Sequence, residues 1–230
     1  MDTRIYTITH KPFQLHEQAD QQIYLPLHVG RVLGEDLGYM GDDTGDNISR
    51  KNKTYCELTG LYWIWKNVIC DIVGIAHYRR FLIDGDRNEI LDRERIEEGL
   101  AEYDILLSAG CYTSEKNIME NYEKWHRIDD LAICRQVVKE LFYDDLDAFD
   151  LAMNSNLFSG GNLFVTSKGI FDEYCCWLFT ILDEVEARTD TGKYDEYQKR
   201  LYGFLAERLI RVFVLARAYR IKEFRVGQIG

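Results

Sequence analysis

The feature that most constrains this fold is the passage from Asp71-Ile72-Val73-Gly74-Ile75-Ala76 into His77-Tyr78-Arg79-Arg80. A near-continuous apolar run of that length reads as a central strand of a parallel sheet, covered on both faces. Charge massed at the end of such a strand is costly unless it meets a ligand or an opposite charge. The chemistry is therefore expected there. The larger stretch, Asp42 to Phe81, passes from an acidic, glycine-containing loop through an aromatic helix into that strand.

The rest of the chain is arranged around this strand. Arg4 to Thr9 alternates and is β-branched, which predicts a first strand. It ends at His10-Lys11-Pro12, a basic turn at the carboxyl end, where open α/β sheets bind ligands. Thr54-Tyr55-Cys56-Glu57 fits a capping box, so Glu57 is expected to cap the helix that Leu58, Leu61, Tyr62, Trp65 and Ile69 mark out. Tyr24 to Val32 reads as a short strand or an irregular segment. A charged helix is expected over 88–103, a buried strand over 104–108, an aperiodic excursion over 111–129 and a helix over 131–142. Asn156 to Thr166 is a strand signal interrupted by Gly160-Gly161, which suggests close backbone approach. A strong helix through Phe171 and Val185 and a last long helix over about 194–219 close the chain. Strands and helices alternating in this way predict an α/β fold. Its sheet is expected to be mostly parallel, with helices on both faces and a C-terminal helical part.

Composition narrows the class. In 230 residues, 46% hydrophobic and 13% aromatic content belongs to a globular chain. A net charge of −11 argues against a general nucleic-acid binder. The six cysteines form no C-x-x-C pair and read as reduced, small hydrophobes. No signal-like start and no apolar run near the roughly 18 residues of a membrane span is present, so a cytoplasmic protein is expected.

Several groups admit two readings. In His77-Tyr78-Arg79-Arg80 an arginine fork suits a diphosphate, or else the cluster is a surface or ion-paired end of a strand. The loop Asp42-Asp43-Thr44-Gly45-Asp46-Asn47-Ile48-Ser49 could contact ribose or sugar hydroxyls, or be a solvated turn. Asp84-Gly85-Asp86 resembles a D-x-D metal pair, or is a turn. His126 could orient an acceptor, or be an exposed histidine. Glu207, on a helix apolar nearly all round, either pairs with Arg211 or serves as a general base. The basic end of the chain, Arg200 to Arg225, suits an anionic membrane surface or complements a helix dipole.

Three motifs carry a resemblance: D-D-T-G-D-N-I-S from Asp42, N-x-x-Y-C-E-L-T-G-L-Y-W-I-W-K-N from Asn52, and V-G-I-A-H-Y-R-R-F from Val73. With D-x-Y-C-x-W-L-F at Asp172 to Phe179 and Y-D-E-Y-Q-x-R-L-Y-G-F-L-A-E-R-L from Tyr194, the chain resembles a bacterial capsular and exopolysaccharide glycosyltransferase family. That family was formerly known only as a domain of unknown function, and some members are galactofuranosyltransferases. The resemblance implies a GT-A-like fold in one domain over 1–230, with about 1–110 holding the nucleotide and 111–230 forming the acceptor-side and helical part. It implies a donor set of Thr9, His10, Lys11, Asp43, Asn47, Thr59, His77, Tyr78, Arg79, Arg80, Gly160, Gly161 and Asn162. Arg79 or Arg80 would do the work a metal does elsewhere; no cofactor is required in this picture, and Asp84 and Asp86 are the alternative metal ligands. The donor expected is a UDP-sugar, UDP-galactofuranose first, and the acceptor a glycan or lipid-linked oligosaccharide. Glu207 and then Asp46 are the candidate bases of an inverting transfer. Cys111 to Arg127 departs from the family pattern, and acceptor recognition, with His126, is expected there. Peripheral contact of the basic C-terminal helix with the inner face of the membrane goes with this picture. Phosphoryl transfer lacks a P-loop or G-x-G-x-x-G. The non-enzymatic alternative is a nucleotide-sugar or glycan binding module of an assembly complex.

Overall fold

In a computed structural model, which describes residues 1–228, the strands are β1 (Thr3–Thr9), β2 (Tyr24–His28), β3 (Met40–Gly41), β4 (Ile72–His77), β5 (Arg80–Asp84), β6 (Glu89–Ile90), β7 (Ile105–Ser108), β8 (Cys111–Tyr112), β9 (Leu157–Phe158), β10 (Phe164–Ser167) and β11 (Ile221–Gln228). The helices are α1 (Asn52–Tyr55), α2 (Leu58–Asn67), α3 (Arg93–Glu102), α4 (Ile118–Trp125), α5 (Ile128–Leu141), α6 (Leu146–Asn154), α7 (Lys168–Arg188) and α8 (Leu201–Arg217).

The main sheet has the order β3-β2-β1-β4-β10-β7-β11-β5-β6. β3, β2, β1 and β4 run parallel, as expected. The other half corrects the expectation of a mostly parallel sheet. β10 runs antiparallel to both β4 and β7, and β5 antiparallel to β11. An apolar run signals burial on both faces but carries no direction, so sequence could not tell β10 from a parallel strand. β4 and β5 form a tight turn in which His77 pairs with Arg80, then part so that β10, β7 and β11 lie between them.

Alternation along each strand builds two cores. Tyr6, Ile8, Val73, Ile75, Ile105, Leu107 and Phe164 face the layer formed by every helix except α3. Ile5, Ile72, Ala76, Leu106 and Val165 face the opposite layer, where Ile96 of α3 packs. Both faces are covered, but unequally. Side-chain caps start α3 and α4, with Asp92 accepting from Arg95 N–H at 2.9 Å and Asn117 from Glu120 N–H at 2.9 Å.

The capping box at Thr54 does not form. The helix expected there breaks at Cys56, whose φ of +51° is left-handed, and the Thr54 hydroxyl donates instead to the Lys51 carbonyl at 3.0 Å. Glu57 makes no cap bond. That frees its carboxylate for another partner.

Asp42, fully buried, is the brace of the 42–49 loop. It accepts from Gly30 N–H at 2.9 Å, Arg31 N–H at 3.3 Å and the Ser49 hydroxyl at 2.5 Å. Removing it strands three buried donors, so Asp42→Ala is expected to cost about 3 kcal/mol of stability in urea denaturation.

Among the described residues no helix is long and apolar enough to cross a membrane. The basic end of the chain is divided between core and surface, with Arg208 buried and Arg220, Lys222 and Arg225 exposed. α8 is buried along most of its length, Arg217 pairs with Asp145 and Glu173, and Arg220 with Asp104. Core packing answers for the apolar content of α8, while Lys222 and Arg225 on β11 remain exposed.

Candidate functional site

The carboxyl ends of β1 and β4 open onto three adjoining cavities. A basic notch of about 390 Å³ is lined by His10, His77, Tyr78, Arg79, Arg80, Arg200 and Gln228. A central cleft of about 420 Å³ shares His10, His77, Tyr78, Arg80 and Arg200 with it, and adds Ile8, Val29, Asn52, Lys53, Cys56, Glu57, Gly161 and Glu207. A groove of about 520 Å³ shares Arg200 and Glu207 with the cleft and continues past Phe158, Phe204 and Arg208 to Trp125, His126 and Tyr197. Arg200 alone borders all three.

The cations of the notch are held by neutral groups. Arg79 donates to the Tyr78 hydroxyl at 2.6 Å and lies over its ring, and Arg200 donates to Cys56 Sγ at 3.2 Å. Among the described residues none of Arg79, Arg80 and Arg200 is ion-paired with a carboxylate, whereas Arg31, Arg217 and Arg220 are. The ion-pair alternative for the strand-end arginines therefore falls. Three guanidinium groups without a counter-charge around one concavity form a site for an anion with several oxygens.

The floor is a strap, Gly160-Gly161-Asn162, between β9 and β10. Gly161 and Asn162 both take positive φ, +85° and +49°. At a φ of +85° a side chain on residue 161 would be strained, and its Cβ would also displace Leu163 Cδ1 at 2.7 Å, so the position favours glycine. Three distant elements pin the strap. Glu207 Oε1 accepts from Gly161 N–H at 2.7 Å, His77 Nε2 lies 2.6 Å from the Gly161 carbonyl, and Asn162 Nδ2 donates to Glu57 Oε1 at 2.8 Å. A carbonyl only accepts, so His77 carries its proton on Nε2.

Electrostatics follow from crowding. Burial pushes the Glu57 carboxyl up, partly offset by the Asn162 amide. Burial also raises Glu207, with Arg208 opposing and the neighbouring Glu57 adding to the rise. Burial lowers His77, and the Gly161 carbonyl holds it back only in part. Two raised carboxyls beside unpaired arginines are the arrangement expected of acid–base groups at work. Cys56, pushed up to about 11 mainly by burial, stays a thiol.

Glu207 does not pair with Arg211. That arginine donates to the Ser159 hydroxyl at 2.8 Å and to Glu223. Glu207 pairs instead with its chain neighbour Arg208 at 3.1 Å, a guanidinium 5% exposed between the rings of Tyr122 and Phe158.

Of the residues singled out in the sequence, His10, His77, Tyr78, Arg79, Arg80, Gly161 and Glu207 meet around the notch and cleft, and Gly160 adjoins them. Lys11 lies beside the notch, over the Tyr78 ring. His126 borders the groove. The others stand behind or away from it. The Thr9 hydroxyl is buried in a turn to the Lys11 carbonyl at 2.6 Å. Thr59, also buried, supports Asn52 at 3.1 Å, and Asn162, 1% exposed, acts through its grip on Glu57. Asp43 pairs with Arg31 at 2.8 Å, Asn47 folds onto its own loop, and Asp46 accepts from the Tyr62 hydroxyl at 3.2 Å. None of these three lines the cleft, because each is engaged elsewhere, Asp43 and Asp46 by residues outside the loop and Asn47 within it. Sequence reading missed Arg200, which sits among other basic residues, and Glu57, which a local cap explained.

Asp84 lies about 13 Å along β5 from Arg80, at roughly 3.3 Å per residue, and Asp86 follows in the turn beyond the strand. They border a separate cavity of about 640 Å³, which shares no lining residue with the notch. Asp84 pairs there with Arg95 at 3.3 Å, and no group of three His, Cys, Asp or Glu side chains converges as metal ligands among the described residues. A metal on this pair would stand remote from an anion in the notch.

The model of a family described as a domain of unknown function, DUF4422, matches residues 4–218. No curated protein matches the chain. Among solved structures, one described as a WbbM bifunctional glycosyltransferase in its apo form is 32% identical over 100% of this chain, with a TM-score of 0.91. The alignment covers 46% of that chain, so the present chain spans less than half of its length.

Proposed function

The chain belongs to the DUF4422 family, and from that membership and the geometry of its cleft we propose that it is a glycosyltransferase using a nucleotide-diphosphate sugar. One observation carries the reading: Arg79, Arg80 and Arg200 surround a notch without a carboxylate partner, and the notch opens onto Glu207. The similarity to a glycosyltransferase over the whole chain supports it, and so does the place of the site at the strand ends of a mixed sheet.

In this mechanism the donor diphosphate lies in the notch, and the guanidinium groups stabilise the charge that gathers on it as the glycosidic bond breaks. The acceptor approaches along the groove on the other side of Glu207. Its hydroxyl loses a proton to Glu207, its oxygen bonds the anomeric carbon, and the nucleoside diphosphate departs toward the arginines. Attack and departure on opposite sides give inversion. UDP-galactofuranose, or another UDP-hexose, is the donor the family resemblance favours, and a growing surface polysaccharide the acceptor. A divalent metal is not needed for the diphosphate when three guanidinium groups face it.

Thermal shift with UDP, followed by UDP release from UDP-hexoses with and without acceptor, tests the reading. UDP at about a hundred times its Kd is expected to stabilise the fold by about 2.7 kcal/mol, and turnover is expected to survive a chelator. Turnover abolished by the chelator would assign the diphosphate to a metal. UDP binding without turnover of any sugar would favour the binding-module alternative, and absence of both removes the proposal.

A further inference from the structure

Beyond Glu207 the groove changes character. Trp125 is 56% exposed and Tyr197 50%, large aromatic rings left half open in the groove, with Lys124 Nζ 5.2 Å from the centre of the first. Between Tyr197 and the inner wall lies a stack. The His126 ring sits 3.9 Å from that of Phe204 at an interplanar angle of 24°, and 5.9 Å from that of Tyr197 at 20°. Burial, with Arg208 and Arg200 nearby, pulls His126 down to about 4, so it presents a neutral aromatic ring and not a cation.

The charges of the groove are spent on each other. Lys124 pairs with Glu115, and Arg208 with Glu207, leaving Arg200, which borders notch and groove alike and stands 6.0 Å from the centre of the Tyr197 ring. What remains is flat apolar surface beside small polar groups, Thr113, Ser114 and Asn121. Such a surface suits an uncharged ring compound with one apolar face and an edge of hydroxyls.

We propose that this groove is the acceptor subsite and takes a neutral hexose, whose apolar face stacks on Trp125 and Tyr197 while one of its hydroxyls points at Glu207. The proposal rests on the transferase reading above and adds the chemical class of the acceptor and the rings that select it. Glu207 is common to groove and cleft, so a sugar lying on the rings reaches toward the base.

Saturation-transfer NMR with lactose, maltose and cellobiose, in the presence of UDP, tests it. The expected result is transfer to the C–H protons of one ring face in at least one disaccharide. That binding should weaken about tenfold in Trp125→Ala and in Tyr197→Ala and be retained in Trp125→Phe. UDP affinity of Trp125→Ala should equal that of the wild type. No transfer to any of the three sugars, or equal binding by both alanine variants, overturns the subsite. Lost UDP binding by the wild type overturns the transferase reading instead, so the two failures are told apart.

Discussion

Glu207→Gln is expected to cut turnover of the nucleotide sugar by about three orders of magnitude while leaving UDP affinity near that of the wild type. Glutamine keeps the size of the side chain and can still accept from Gly161 N–H, so the strap stays pinned. What it loses is the ability to take a proton. The pH profile gives an independent signature. A base works ionised, and burial has pushed this carboxyl up. As pH falls through the raised pKa the base is protonated and kcat/KM declines, so the acid limb lies above the ordinary carboxylate range. Glu207→Gln should lose that limb. Leaving Arg208 buried without its carboxylate costs about 3 kcal/mol, which a melting curve must account for. Glu57→Gln is the companion variant, since Glu57 is the other raised carboxyl of the cleft. A larger loss of kcat in Glu57→Gln, with an unchanged acid limb in Glu207→Gln, would exchange the two roles.

The half of the site that sequence made legible is the half coded locally. A buried strand running into His77-Tyr78-Arg79-Arg80 announces a strand end with unmet charge, and Gly160-Gly161 announces a backbone that must come close to something. Both features lie in the cleft. The other half depends on contacts between residues far apart in the chain. Glu57 meets Asn162 across 105 positions and Arg200 reaches Cys56 across 144. A short-range explanation was available for each, a helix cap for one and a basic tail for the other. The acidic loop shows the converse error. Asp43, Asp46 and Asn47 look like ligands because they are polar, yet turn-forming carboxylates and amides mostly satisfy neighbouring donors, as these do. In the fold, the parallel half of the sheet was legible from apolar runs and helical crossovers. β11 was not, since its one buried side chain, Phe224, gives no periodicity to read, and direction in β10 leaves no mark on composition.

Arg80→Ala and Arg200→Ala are each expected to weaken UDP binding roughly thirtyfold, the scale of losing charge-assisted hydrogen bonds to a phosphate. Affinity for uridine, which has no phosphate, should not change in Arg80→Ala. The two positions are expected to be comparable because each borders both the notch and the central cleft. Arg79 is further committed, lying over the Tyr78 ring and donating to its hydroxyl, so Arg79→Ala should have the smaller effect. Lysine separates charge from geometry. Arg80→Lys keeps the cation but loses the planar fork, and it should recover only part of the affinity. Salt supplies a further check, because exposed guanidinium groups are screened over about 10 Å at 0.1 M ionic strength. Wild-type UDP affinity should fall with added salt, and less steeply in either alanine variant. UDP bound equally well by Arg80→Ala and Arg200→Ala would leave the notch with no diphosphate to hold. The direction of transfer derived from it, with the leaving group on one side and base and acceptor on the other, would then have no physical support.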